Sequence, residues 1–231
     1  MNELGKKAAA LNALTYVTNN SVLGIGSGST VAIFIDLLNR RVENEGLTLS
    51  AAPTSNFSKD ALHKSIRIIG MDLSTPIDLT VDGADRVSND FNLIKGGGGA
   101  LLREKFVALS SKVNLTIIDE AKISSPLGGF SLPVEIVPFG SAATIKRLKA
   151  AGFNGSIRMR GNTPFITDGS NYIYDIDLKG PIIDPKGMHL VLKSISGVIE
   201  TGLFLQTSDR IIIGKNDLSV DVWIKGKHHV R

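Results

Sequence analysis

The chain has 231 residues, enough for one large domain or for a domain with a smaller companion. It carries 26 Lys and Arg against 22 Asp and Glu, and this net charge of +4 suits an anionic metabolite but does not indicate nucleic acid. The absence of cysteine excludes disulfides, thiol nucleophiles and cysteine metal sites. No apolar run reaches the ~20 residues of a membrane span, and no signal-peptide core opens the chain, so we expect a cytoplasmic protein with no membrane partner.

The first half of the chain alternates helices and short strands. A helical pattern over residues 3–17 precedes a strand at 22–25, a helix over 30–44 and a strand at 47–52. The alternation continues with a helix at 57–64, strands at 66–69 and 77–81, a helix at 100–111 and a strand at 115–118. This order is typical of βαβ units and predicts the α/β class, a Rossmann-like parallel sheet with flanking helices.

The pattern changes after Ser124. Strands are predicted at 132–137, 155–160 and 172–178, and helices at 141–151 and 186–195. This mixture indicates a smaller α+β domain over residues 126–201. Late strands at 202–205, 210–213 and 221–224 are expected to return to the first sheet, so the larger, catalytic domain comprises 1–125 with 202–231.

One stretch concentrates the chemically active side chains. Asp82 and Asp85 follow the strand at 77–81, and Lys95 precedes four glycines and a helix that carries Glu104. Bare glycine backbone at a helix N-terminus favours an anion. A base, two hydrogen-bonding acids and a cation are what an enolisation needs.

Each part of this stretch also has an ordinary structural interpretation. Asp-Gly is most often a turn, a four-glycine run is often a flexible loop, and a helical glutamate is usually solvated. The apolar stripe Leu102, Phe106 and Leu109 is expected to point away from Glu104. The combination of these parts, at this spacing and after a strand, favours catalysis.

A second glycine loop, residues 24–30, lies between the first strand and its helix. Its glycines, hydroxyls and backbone donors suit a phosphate, although a capped helix with tight packing is the alternative. The loop lacks the Gly-Lys-Ser/Thr of a Walker motif. Ala51-Ala52-Pro53 stands where a dinucleotide site needs an acid, which disfavours NAD.

Together these segments resemble the ribose-5-phosphate isomerase type A family. The matching segments run in order as residues 24–30, 53–55, 82–85, 95–105, 119–122 and 132–135, and the likeness extends over nearly the whole chain. The resemblance implies an enzyme without a cofactor or metal that interconverts D-ribose 5-phosphate and D-ribulose 5-phosphate in the pentose phosphate pathway. It also implies a homodimer or homotetramer, with a sugar phosphate as ligand and no nucleic acid.

The resemblance assigns roles residue by residue. Glu104 matches the proton acceptor, which works through an enediolate. Asp82 and Asp85 match acids that bind the sugar hydroxyls and assist proton transfer, and Lys95 matches a lysine in contact with substrate. The expected substrate-binding residues are Ser27, Gly28, Ser29, Thr30, Asp82, Gly83, Ala84, Asp85, Lys95, Gly96, Gly97, Gly98 and Lys122.

Two departures from the family pattern bear on the site. Ser27 stands where many relatives have Thr, which keeps a hydroxyl, and Arg86 stands where the family usually has an acid. The alternative function is a sugar-phosphate sensor or regulatory domain on the same fold, which would need the phosphate loops but not Glu104. We expect no DNA-binding segment before the first strand, and we interpret the basic tail 225–231 as a solvated terminus.

Overall fold

The computed structural model describes residues 3–71 and 76–227, so the last four residues of the basic tail lie outside the described part. Its helices are α1 (Glu3–Leu14), α2 (Ser29–Glu45), α3 (Asn56–Ala61), α4 (Leu101–Leu109), α5 (Ser141–Ala150) and α6 (Pro185–Ser194). Its strands are β1 (Val22–Ile25), β2 (Ser50–Pro53), β3 (Arg67–Ile68), β4 (Ile77–Asp82), β5 (Arg86–Val87), β6 (Asn92–Ile94), β7 (Ser111–Asp119), β8 (Leu132–Ile136), β9 (Gly155–Ile157), β10 (Met159–Arg160), β11 (Thr163–Pro164), β12 (Tyr172–Ile176), β13 (Val198–Thr201), β14 (Leu203–Leu205), β15 (Arg210–Gly214) and β16 (Val220–Ile224).

The described residues form two compact units. The first unit comprises the chain up to Ala84, Arg103–Lys122 and the chain from Thr207 onward. The second unit comprises Asp85–Leu102 and Ile123–Gln206. The predicted division placed residues 85–102 in the larger domain, whereas here they belong to the second unit.

The first unit is built on a seven-stranded sheet in the order β16-β15-β7-β4-β1-β2-β3. Neighbouring strands are parallel, except that the edge strand β16 runs antiparallel to β15. This confirms the predicted parallel α/β sheet. The strand order reverses direction at β1 and β4, and the carboxyl ends of two such strands are where open α/β sheets bind ligands.

The core of the first unit packs helices against this sheet. Small side chains of α1, such as Ala9 and Ala13, and the larger Phe34 and Leu38 of α2 are buried in one cluster with the strand residues Leu23 and Ile117. Small residues let α1 lie close to the strands. Gly214 of β15 is an example, because a Cβ there would stand 1.8 Å from the carbonyl oxygen of Gly5.

The second unit contains a four-stranded sheet in the order β13-β8-β12-β9, a three-stranded sheet in the order β14-β6-β5, and the hairpin β10-β11. The strands β5–β6, β6–β14, β8–β12, β8–β13, β9–β12 and β10–β11 pair antiparallel. Its own core contains Ile94, Val134, Tyr174 and Leu192. This unit has the mixed α+β character predicted for residues 126–201.

One local prediction is corrected. Residues 203–205 form β14, which pairs with β6 in the second unit and does not return to the first sheet. On α4, Phe106 is 58% exposed and Leu109 71% exposed, whereas Leu101, Glu104, Lys105 and Val107 are buried.

Asp78 joins three neighbouring strands near their amino ends. From β4 its carboxylate accepts the backbone N–H of Val22 on β1 at 2.9 Å and the ammonium of Lys112 on β7 at 2.8 Å. The hydrogen bond from Lys112, followed by that from Val22, lowers the pKa of Asp78 below its ordinary value of 3.8. The side chain is 39% exposed, so solvent screens this pair and its contribution is small.

We predict that Asp78→Asn lowers the free energy of unfolding at pH 7 by about 0.5–1 kcal/mol. A carboxyl whose pKa is lowered in the folded state stabilises the fold above its unfolded pKa, and that stabilisation disappears as the pH falls through the lower folded value. The difference between Asp78→Asn and wild type should therefore shrink below about pH 4. Urea unfolding at several pH values measures this difference in the free energy of unfolding. Asp60→Asn, at an exposed position, is the control. A difference that does not depend on pH would contradict the electrostatic explanation.

Candidate active site

The loop after β1 and the end of β4 meet through hydrogen bonds in the first unit. The backbone N–H of Ser27 donates to Oδ1 of Asp82 at 3.1 Å, and Gly26 donates its N–H to the carbonyl of Val81 at 2.9 Å. Gly26 must be a glycine, because a Cβ there would stand 1.9 Å from Oδ1 of Asp82. Asp82 is only 7% exposed, and Gly83 donates a further N–H to the same oxygen at 2.7 Å.

Glu104 is joined to this group by the same serine. It lies on α4, is 4% exposed, and accepts the hydroxyl of Ser27 on Oε1 at 2.7 Å. Ser27 thus donates its backbone N–H to one buried carboxylate and its hydroxyl to another. Hydrogen bonds to a carboxylate favour its charged form and fix its orientation, which is what a proton-accepting group requires.

The remaining predicted residues of the first unit lie on two loops. Gly28, at φ 96°, precedes α2, and Ser29 and Thr30 form its first turn, with Ser29 exposed and Thr30 buried. Ala84 is half-buried and ends the first segment of this unit. Lys122 is half-buried and closes a short 3-10 turn, residues 120–122, directly after β7.

Lys95 and its glycine loop belong to the second unit. Lys95 is 5% exposed, its backbone N–H donates to the carbonyl of Gly202 at 2.9 Å, and its ammonium lies 5.3 Å from the centre of the Phe204 ring. Gly96 and Gly99 have φ of 100° and 81°, a region that favours glycine. The observed path of the loop therefore depends on glycine at these two positions.

Asp85 is held against this loop. Its Oδ2 accepts the N–H of Gly97 at 2.8 Å, and its own N–H donates to the carbonyl of Ile94 at 2.8 Å. A Cβ on Gly97 would stand 2.6 Å from Oδ1 of Asp85, so the close approach requires glycine. Gly98, next in the loop, is exposed.

Arg86, the departure from the family pattern, directs its guanidinium at backbone carbonyls. It donates to the carbonyl of Asp85 at 2.8 Å and to that of Gly129 at 2.7 Å, and it lies 5.6 Å from the centre of the Phe130 ring. These contacts anchor the positive charge within the second unit.

Sequence reasoning missed several residues that shape these loops. Arg158 donates to the carbonyls of the glycine loop, and Gly202 and Phe204 hold Lys95. They lie far from Lys95 in the chain, and no role was assigned to them from the sequence. The pairing of β14 with β6 places Phe204, and Gly202 directly before β14, beside the end of β6 that Lys95 follows.

Within residues 3–71 and 76–227, no group of three or more His, Asp or Glu is placed to hold a metal ion.

Comparison with known proteins identifies relatives across almost the whole chain. The family model described as ribose 5-phosphate isomerase A (phosphoriboisomerase A) matches residues 50–218. Ribose-5-phosphate isomerase A of Bacillus mycoides is 45% identical over 210 residues, covering 90% of this chain and 95% of the relative. The Streptococcus agalactiae serotype III protein of that name is 44% identical over 222 residues, covering 95% and 99% respectively.

Solved structures agree with the sequence relatives. Ribose 5-phosphate isomerase from Plasmodium falciparum superposes with a TM-score of 0.92 at 34% identity, covering 98% of this chain and 100% of that one. A D-ribose-5-phosphate isomerase in complex with phospho-erythronic acid gives a TM-score of 0.90 at 34% identity, covering 96% and 98%. The resemblance inferred from the motifs is confirmed, and the chain belongs to the ribose 5-phosphate isomerase A family.

Proposed function

We propose that this protein is an aldose–ketose isomerase that interconverts D-ribose 5-phosphate and D-ribulose 5-phosphate in the non-oxidative pentose phosphate pathway. The observation that carries the proposal, beside family membership, is the buried carboxylate of Glu104 held by the Ser27 hydroxyl. The hydrogen bond from Ser27 fixes the orientation of the Glu104 carboxylate, and a general base must be oriented toward the proton that it accepts. No relative described above supports the alternative of a sensor domain.

The proposed chemical step is a proton transfer between adjacent carbons. Glu104 removes the proton from C2 of the open-chain aldose, and the electron pair forms the C1–C2 double bond of an enediolate. The same proton is then returned to C1, while a proton passes from O2 to O1, which leaves the ketose. Atoms and charge balance without an oxidant or a reductant.

The other acids and Lys95 serve the oxygens of the substrate in this proposal. Asp82 and Asp85 bind sugar hydroxyls and assist ring opening and the proton traffic between O1 and O2. Lys95 supplies positive charge for an oxyanion or phosphate. Its 5% exposure supports this role, because charge acts more strongly in a site with little water.

The two glycine loops and Lys122 are proposed to bind the sugar phosphate. Ser27 to Thr30 follow β1 and open α2, which combines backbone donors with a helix N-terminus. Gly96 to Gly98 offer a second stretch of bare backbone. Phospho-erythronic acid, the ligand of the related structure, is a chemically suitable probe for both loops.

The assembly and location of the protein are also proposals. No helix within the described residues is long and apolar enough to cross a membrane. We propose a cytoplasmic homodimer or homotetramer, and exposed apolar side chains such as Phe106 and Phe139, at 58% and 93% exposure, are of the kind that subunit contacts cover. Sedimentation equilibrium tests this, and a monomer at all concentrations would contradict it.

The first functional prediction concerns Glu104→Gln. Glutamine keeps the size of the side chain but cannot accept the proton, so kcat should fall by about 10²–10⁴-fold, the range for general acid–base catalysis. The assay follows ribulose 5-phosphate formation from ribose 5-phosphate with EDTA present, and calorimetry measures affinity for phospho-erythronic acid. That affinity should remain close to the wild-type value.

The exposed Glu43→Gln serves as the matched control and should behave as wild type. Undiminished turnover in Glu104→Gln would show that another group is the base. An inactive wild type that still binds the sugar phosphate would favour the sensor function. Loss of wild-type activity on adding EDTA would show that a metal takes part.

The second functional prediction concerns Ser27. Removing its hydroxyl in Ser27→Ala deletes the hydrogen bond that orients Glu104, so kcat should fall by about 10–100-fold, as expected for a bond to a charged group. Ser27→Thr retains the hydroxyl and should keep most of the activity. The exposed Ser156→Ala is the control. Equal activity of Ser27→Ala and Ser27→Thr would show that the hydroxyl does not orient the base.

A further inference from the structure

Arg158 clamps the glycine loop of the second unit. It follows β9, its side chain is 17% exposed, and its Nη1 donates to the carbonyls of Gly96 at 2.8 Å and Gly97 at 2.9 Å. Its Nε and Nη2 donate to the two carboxylate oxygens of Asp175 on β12, at 2.8 and 2.6 Å. One guanidinium thus ties two consecutive loop carbonyls to a central strand of the four-stranded sheet.

An aromatic ring supports the clamp. The guanidinium of Arg158 lies 5.9 Å from the centre of the Phe165 ring. The same ring occupies the space beside Gly99, where a Cβ would stand 2.3 Å from Cε1 of Phe165. The backbone N–H of Phe165 donates to the carbonyl of Arg158 at 2.8 Å, which fixes the ring relative to the arginine.

Holding the carbonyls determines where the loop N–H groups point. In a planar trans peptide, the C=O of one residue and the N–H of the next point in opposite directions. With the carbonyl of Gly96 on Arg158, the N–H of Gly97 faces away from it, and this N–H is the one that holds Asp85. With the carbonyl of Gly97 also on Arg158, the N–H of Gly98 is likewise turned away, and it donates to no backbone or side-chain acceptor among the residues that the structure describes.

We propose that Arg158, oriented by Asp175, is a positioning residue for the isomerisation. By holding the carbonyls of Gly96 and Gly97, it presents the N–H of Gly98 to a negatively charged substrate oxygen and the N–H of Gly97 to Asp85. The inference rests on the proposed function, since the oxygen belongs to the sugar phosphate. Arg158 itself acts through the loop and does not touch the substrate.

The clamp needs a guanidinium rather than another cation. Arginine presents donors in a planar fork, so one edge can pair with the Asp175 carboxylate while the remaining donors reach two carbonyls. A lysine ammonium is a point charge on a flexible stem, so it cannot hold the Asp175 carboxylate and the two loop carbonyls at the same time in this geometry. Arg158→Lys therefore separates the geometry of the clamp from its charge.

The test measures kcat and KM for ribose 5-phosphate in the variants Arg158→Gln, Arg158→Lys, Arg158→Ala and Asp175→Asn. The control is Arg160→Gln, which alters a nearby exposed arginine. We expect Arg158→Gln to lower kcat/KM by about 10²-fold, mainly through kcat, as when a preorganised oxyanion donor is lost. Arg158→Lys should recover little of this loss. Guanidinium ion added to Arg158→Ala should restore part of the activity, and Arg160→Gln should match wild type.

Amide hydrogen exchange, read by NMR, provides the second measurement. Faster exchange confined to residues 96–99 in Arg158→Gln is expected. Wild-type kinetics in that variant would overturn the inference. The inference would also be overturned by a loss of activity that added guanidinium does not restore in Arg158→Ala, together with faster exchange throughout the second unit in Arg158→Gln. That combination would show a purely structural role for Arg158.

The two proposals fail in distinguishable ways. An active wild type with an unaffected Arg158→Gln overturns the positioning role alone. An inactive wild type overturns the proposed function. In that event, exchange at Gly97 and Gly98 and calorimetric binding of phospho-erythronic acid still decide the matter: unchanged values in Arg158→Gln overturn the clamp, and faster exchange with weaker binding supports it.

Discussion

The donors of Ser27 are the constraint on which the candidate site in the first unit depends. Two carboxylates, Asp82 at 7% and Glu104 at 4% exposure, are withdrawn from water, where an ionised group is costly unless hydrogen bonds replace its hydration. One residue supplies such bonds to both, through its N–H and its hydroxyl. The arrangement is possible only because Gly26 leaves room for the Asp82 side chain. A glycine, a serine and two acids far apart in the chain therefore act as one group.

In the second unit, the loop Lys95–Gly99 is held through its backbone rather than through carboxylate side chains. Lys95–Gly99 has no side chains beyond the lysine to hold it, so it is fixed through its backbone. Gly202 accepts the N–H of Lys95 at one end, and Arg158 holds the carbonyls of Gly96 and Gly97. Glycine gives this loop access to a ligand and also makes it dependent on its surroundings, because the residue has the largest conformational freedom to lose.

Local signals in the sequence were sufficient for much of this structure. Strand β1 was predicted with its observed bounds, because a short apolar run before a glycine loop leaves few alternatives. The chemistry-bearing segments were also found, since Asp82-Gly-Ala-Asp85 and the Lys95–Lys105 block are dense local patterns. The roles of their side chains in the reaction remain predictions.

Long-range pairing explains what sequence reasoning missed. Residues 85–102 join the second unit because β6 pairs with β14, more than a hundred residues later in the chain. Arg158 and Asp175 become a pair because Arg158 extends from β9, which lies beside β12.

The discontinuity of the first unit also has a consequence for biosynthesis. Its sheet takes strand β15 from beyond Thr207 and pairs it with β7, while α1 packs on that same strand through Gly5 and Gly214. On the ribosome, α1 can pack against α2 and the earlier strands first, but its contact with β15 forms only after residues 210–214 have been made. The segments of the second unit have all been made by Gln206. Vectorial synthesis thus allows the second unit to be completed first and leaves the parallel sheet of the first unit to close after β15 has been made.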